Sequence, residues 1–238
     1  MIMSEKIIGI VGGMGPEATL DLYREILRAT PARRDQDHLR VIIDSNPKVP
    51  DRTSAIIGEG ANPVPAMVMS CRAVEKAGAD FVIIPCISAH YFLEELQQQI
   101  NLPILSVFDA VGEHIVNHYP DVTTIGLLAT SGTIKSKRFA ACLTDYGIIT
   151  VVPDSDSQAT LMNAIYTIKS TNDSGDRAQC KIELIAAANH VIDQGAQGIV
   201  AGCTEIPLEL KRQDLSVPFF NSLEILAQAA VDRAIGGN

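Results

Sequence analysis

Short, wholly apolar runs alternate along this chain with longer stretches whose apolar residues recur every three to four positions. The run Lys6-Ile7-Ile8-Gly9-Ile10-Val11 predicts a buried strand. Gly12-Gly13-Met14-Gly15-Pro16 follows as a turn, and Leu20, Tyr23, Ile26 and Leu27 predict a helix with Pro16 in its first turn, where a missing N–H costs nothing. Leu39 to Ile43 predicts a second strand, and Asp44 to Arg52 a polar, proline-punctuated loop at its C-terminal end. Residues 64–77 predict a helix with Val64, Val68, Cys71 and Val74 inward and Gly78 closing it. Phe81 to Ile84 predicts a third strand that delivers Cys86. A helix through Phe92, Leu93, Leu96 and Ile100 and a short strand at Pro103 to Ser106 come next. Strands alternating with helices in this way imply βαβ units and a mostly parallel sheet.

The second half repeats the first. Gly126 against Gly9, Gly132 against Gly15, Gly195 against Gly78 and Cys203 against Cys86 all stand 117 positions apart. A repeat of that length is one domain-sized α/β unit rather than a solenoid period. The expectation is therefore an α/β protein of two pseudo-symmetric lobes, each a mostly parallel sheet flanked by helices. Residues 1–108 form the first lobe and 109–215 the second, with 216–238 crossing back to complete the first because Pro218-Phe219-Phe220 resembles the Pro103 segment. Ligands of open α/β sheets bind at the C-terminal ends of strands, so the active site is expected in the cleft between lobes, with one cysteine on each wall.

Composition narrows the function classes. Apolar residues make up 47% and charged residues 20% of 238, a globular balance. The formal net charge of -9 argues against a nucleic-acid partner, and an acidic ligand would need locally placed arginine or lysine. Five cysteines, an odd number in a chain too long to need staples, suit free thiols in a reducing cytoplasm. No run is long enough for a signal-peptide core or a membrane span, so neither a membrane nor a targeting segment is expected.

Each cysteine alone fits a packed strand-end residue, since free cysteine behaves as a small hydrophobe. Two at matching positions suit a different role: one thiolate takes a proton from one face of a carbon while the other thiol returns one to the opposite face. A pKa near the working pH favours such an exchange, and free cysteine at about 8.5 starts close to it. Cys71, Cys142 and Cys180 fall on predicted helices with no partner pattern and are not candidates. His114 and His118 share a helix face at i and i+4, but no third ligand stands nearby, so no metal site is expected. Gly13-Met14-Gly15-Pro16-Glu17-Ala18 fits the loose dinucleotide-binding pattern, yet the acid ending the next strand, Asp44, lies 31 residues beyond Gly13 instead of about 20. A tight turn that brings backbone amides to the cleft is the better reading.

The glycine-rich opening Gly12 to Thr19, the loop Asn46-Pro47 to Asp51-Arg52, the segment Pro85-Cys86 to His90, the turn Gly126 to Thr133 and Gly202-Cys203-Thr204-Glu205 together resemble the aspartate/glutamate racemase superfamily, most closely its aspartate racemase branch. The resemblance implies inversion of an amino-acid Cα, aspartate first, without pyridoxal phosphate or any other cofactor, in a homodimer. It makes Cys86 and Cys203 the catalytic acid/base pair. Arg52 and Lys169 become the cations that hold substrate carboxylates, and Met14, Asn46, Ser88, Thr130, Thr133 and Thr204 line the substrate. His90 either tunes the Cys86 thiol or packs; Glu205 either positions the Cys203 thiol or complements a helix N-terminus. The family motif Pro-Cys-Asn-Thr-Ala-His is altered here to Ile87 and Ser88 in its middle positions, which removes an amide. Two other readings remain open: a maleate-type cis/trans isomerase with a nucleophilic cysteine, and a non-catalytic binder of an acidic metabolite.

Overall fold

The computed structural model describes residues 5–170 and 173–236. The chain divides into two compact units, one running to Ala110 and resuming at Leu223, the other Val111–Ser222. The first contains β1 (Ile8–Gly12), α1 (Pro16–Ala29), β2 (Val41–Ser45), α2 (Arg52–Ile56), α3 (Val64–Lys76), β3 (Phe81–Ile83), a 3-10 turn at Ile87–Phe92, and α4 (Leu93–Gln97). Then α5 (Val107–His118) contains the first boundary between units. The second unit holds β4 (Thr124–Ala129), α6 (Ser131–Ser136), α7 (Arg138–Asp145), β5 (Ile149–Val151), α8 (Ser155–Ser170), α9 (Ser174–Asp193), β6 (Ile199–Gly202), α10 (Ile206–Glu209) and β7 (Phe219–Asn221). The last helix, α11 (Ser222–Gly236), lies almost wholly in the first unit.

Both sheets are parallel throughout, in the orders β2-β1-β3 and β5-β4-β6-β7. Their central strands β1 and β4 are almost entirely buried, as expected where helices cover both faces. One apolar cluster joins Val11, Met14, Val64, Met67, Val68, Val74, Val82, Ile84 and Cys86. A second joins Leu128, Leu161, Ile165, Leu184, Val191, Ile199, Ala201, Cys203 and Ile206. Cys86 stands three residues beyond β3 and Cys203 directly after β6, each buried in the cluster of its own unit.

The 117-residue repeat extends to packing. A Cβ built on Gly9 would meet Val74 Cγ2 at 3.0 Å, and one on Gly126 would meet Val191 Cγ2 at 2.4 Å. Val74 and Val191 are themselves 117 positions apart. Helices α3 and α9 therefore press directly on the backbone of the central strands, which is why glycine stands there.

Three expectations change. Pro103 to Ser106 forms only an isolated parallel bridge, Val82 with Ile104, because the chain turns into α5 after a single pairing and Ser106 accepts the N–H of Asp109. The loop after β2 ends earlier than its composition suggests: Asp51 accepts the N–H of Ser54 at 2.7 Å and starts a helix at Arg52. Residues 216–222 lie in the second unit, since Phe219–Asn221 pairs in register with Ile199 to Ala201. The return to the first unit starts at Leu223.

Gly126→Ala is expected to cost about 2 kcal/mol in a urea titration, as overpacking against a stiff β-branched side chain. Adding Val191→Ala should cost less than the two single losses together; strictly additive losses would contradict the close approach.

Candidate active site

Parallel register determines what meets at the strand ends. Gly12 pairs with Ser45, so Gly13 is set beside Asn46. The approach is close enough that a Cβ on Gly13 would overlap the Asn46 backbone at 2.3 Å, and Gly13 has φ of 87°. Thr19 Oγ1 holds the turn by accepting the Gly13 N–H at 2.8 Å and donating to the Gly15 carbonyl at 3.1 Å. Asn46 Oδ1 accepts the Lys48 N–H at 3.0 Å, which leaves its NH2 group outside that turn.

Arg52 binds this corner together. Its Nη1 donates to the carbonyls of Val49 (3.2 Å) and Pro50 (2.9 Å), and its Nη2 to that of Met14 (3.3 Å). Met14 and Val49 share the buried cluster that contains Cys86. Among the described residues no carboxylate pairs with the guanidinium, and its buried Nε has no hydrogen-bond partner. A half-buried cation satisfied only by carbonyls retains affinity for an anion.

Cys86 is 6% exposed and opens the 3-10 turn after β3. Its Sγ lies 3.4 Å from Ser88 Oγ. His90 is 2% exposed, and its Nδ1 meets the Cys86 carbonyl at 3.1 Å, so that nitrogen carries the hydrogen. Nε2 is buried with no hydrogen-bond partner among the described residues, and the ring packs 5.4 Å from Phe108. Burial pushes His90 down to about 4, against the opposing pull of the Cys86 and Leu105 carbonyls and Asp109. The imidazole is therefore neutral at pH 7. It anchors the cysteine's backbone and supplies no positive charge to the thiol.

In the second unit Ala129 pairs with Gly202, which sets Thr130 beside Cys203. Cys203, 6% exposed, donates its thiol hydrogen to Glu205 Oε2 at 2.9 Å. Thr204 Oγ1 donates to the same oxygen at 3.2 Å, and Lys169 Nζ lies 3.7 Å from Oε1. Burial pushes the Cys203 thiol well above its ordinary value; the Glu205 carboxylate adds to this and Lys169 opposes it. The sulfur rests as a thiol. Ser88 and Glu205 are also 117 positions apart, so in both halves the side chain two residues beyond the cysteine turns back onto the sulfur.

Thr130 caps α6 by accepting the Thr133 N–H at 3.3 Å, and the two hydroxyl oxygens are 3.1 Å apart. One hydroxyl hydrogen is spent within the pair, so at most one remains to donate elsewhere. Gln158 had no sequence signal, yet its Nε2 donates to the Ala129 carbonyl (3.0 Å) and Ser131 Oγ (3.2 Å), bracing the same strand end. Ile87, at the altered motif position, is buried at 3% exposure.

Burial pushes Cys71 up to about 12 and also raises Cys180, while Cys142 is half-buried. His114 and His118 stack at 4.6 Å, and among the described residues no group of three His, Cys, Asp or Glu is arranged to hold a metal ion. No described helix is long and apolar enough to cross a membrane.

Because His90 sits lower when folded than its ordinary 6.5, its contribution to stability is complete above pH 6.5 and lost as the pH falls toward 4. His90→Asn keeps a donor for the Cys86 carbonyl but cannot titrate. Relative to that variant, the parent chain should lose about 3 kcal/mol between pH 7 and pH 4 in urea titrations. A difference independent of pH would show that His90 titrates alike in both states.

The broad specificity amino-acid racemase RacX of Bacillus subtilis is 27% identical over 229 residues, 94% of this chain and 96% of that protein. The solved structure of Picrophilus torridus aspartate racemase superposes with a TM-score of 0.84 at 29% identity, covering 97% of this chain and 94% of that one. An aspartate racemase homologue from Pyrococcus horikoshii gives 0.77 at 26% identity, over 96% and 99% of the two chains. Residues 11–230 match the family described as Asp/Glu/Hydantoin racemase, and the chain belongs to that family.

Proposed function

We propose that the protein is a cofactor-independent amino-acid racemase, with aspartate as its first substrate, and that Cys86 and Cys203 are its acid/base pair. The observation that carries the reading is the duplicated strand end: each core strand delivers a buried cysteine onto which the side chain two residues later folds back. The reaction asks for one sulfur on each face of a single Cα. In one direction the Cys86 thiolate removes the Cα hydrogen as a proton, and the Cys203 thiol delivers its own proton to the opposite face. The chain is left with a Cys86 thiol and a Cys203 thiolate, and the reverse direction exchanges these roles. The resting Cys203 thiol suits the first direction. Glu205, in contact with that sulfur, is placed to take up or return its proton.

Substrate choice rests on charge. In a chain of net charge -9, an acidic amino acid needs local cations. Arg52, whose Nε has no partner among the described residues, and Lys169 beside Glu205 supply them. Ile87 supports a wider range, because an apolar side chain replaces an amide there, and the Bacillus subtilis relative carries a broad specificity name.

The test is an amino-acid panel in deuterated water read by proton NMR. Aspartate should exchange its Cα hydrogen while optical rotation decays, and Cys86→Ala and Cys203→Ala should each lower kcat by at least about a thousandfold with unchanged melting. Racemisation within about tenfold of the parent rate in either variant would overturn the two-cysteine mechanism. Thermal stabilisation by aspartate without any exchange would identify a binding protein instead.

A further inference from the structure

We infer that Arg177, on the first turn of α9, is a positioning residue for Lys169, and through it sets how tightly the second carboxylate of the substrate is held. The inference rests on the racemase reading. Helix α8 ends one residue after Lys169, and the last carbonyls of a helix lack intrahelical donors. Arg177 Nη2 donates to one of them, the Ile168 carbonyl, at 3.4 Å. Its Nη1 donates to Glu209 Oε1 at 2.8 Å, in a pair whose side chains are only 20% and 17% exposed. Glu209 closes α10, a helix that begins directly after Glu205. One guanidinium therefore joins the backbone beside Lys169 to the helix beside Glu205, the carboxylate 3.7 Å from the lysine amine.

A lysine side chain has much rotamer freedom, so an ammonium is held at one place only where its backbone is fixed relative to its partner. Arg177 supplies that fixing through the Ile168 carbonyl and the Glu209 carboxylate. A planar fork can bind two acceptors in different directions at once, and the positive charge also suits a helix C-terminus. A control stands four residues further along α9. Lys181 pairs with Asp214 at 2.8 Å and ties the same helix to the segment after α10.

The experiment measures kcat and KM for aspartate in the full chain, with melting curves for each variant. Arg177→Met should raise KM about tenfold with kcat changed less than threefold, the effect of about one charge-assisted hydrogen bond. Glu209→Gln, which releases the strap from its other end, should raise KM several-fold, and Lys181→Met should leave it within twofold. Lys169→Met should raise KM at least tenfold, and adding Arg177→Met to it should change KM less than twofold further. Arg177→Lys should not restore the parent KM.

Unchanged KM in both Arg177→Met and Glu209→Gln, or effects of Arg177→Met and Lys169→Met that multiply, would overturn the inference alone. A KM unchanged in Lys169→Met would remove that lysine from the site and overturn the underlying assignment together with the inference.

Discussion

Neighbouring strands of a parallel sheet end on the same side, so the register Gly12 with Ser45 and Ala129 with Gly202 sets Gly13 beside Asn46 and Thr130 beside Cys203. Every candidate contact depends on that constraint. The strands supply it only because α3 and α9 press on glycine backbone at Gly9 and Gly126, which fixes the height of each helix over its sheet. The turns that follow then have short, determined paths. Thr19 holds one, Thr130 and Gln158 hold the other, and the cysteines emerge from β3 and β6 with almost no exposed surface.

Duplication has preserved this scaffold and let the charge around each sulfur diverge. Cys86 faces a serine hydroxyl above a neutral histidine; Cys203 faces a carboxylate held by a threonine and a lysine. Burial disfavours the charged form of any thiol, and a carboxylate 2.9 Å away disfavours it further. The surroundings of the two sulfurs thus differ, a hydroxyl beside one and a carboxylate beside the other. Each half also has a cation near its strand ends: Arg52 on the Met14 carbonyl and Lys169 3.7 Å from Glu205.

Much of this was legible in the chain itself. The buried runs at Ile7 to Val11 and Phe81 to Ile84 and the 117-residue repeat identified β1, β3 and their counterparts β4 and β6, with a cysteine beyond β3 and β6, because apolar periodicity and glycine spacing both follow from helix-on-sheet packing. What failed to show was tertiary. Ile104 has strand composition but only one pairing partner, and Phe219–Asn221 joins β6 where a return to the first unit had been expected. Thr130 and Thr133 were both expected to line the substrate through the family resemblance, although an N-cap spends part of their hydrogen-bonding capacity. Arg177 carried no motif, since its role comes from a helix hairpin that brings residues 168, 177 and 209 together.

The central claim is that two different sulfurs serve the two faces of one Cα. Its most direct measurement is the deuterium content of both enantiomers at low conversion, starting from protiated L-aspartate in deuterated water. With two bases, the D product should carry solvent deuterium at Cα while the recovered L substrate stays protiated. Deuterium appearing equally fast in recovered substrate and product would mean that one base serves both faces, and would contradict the account.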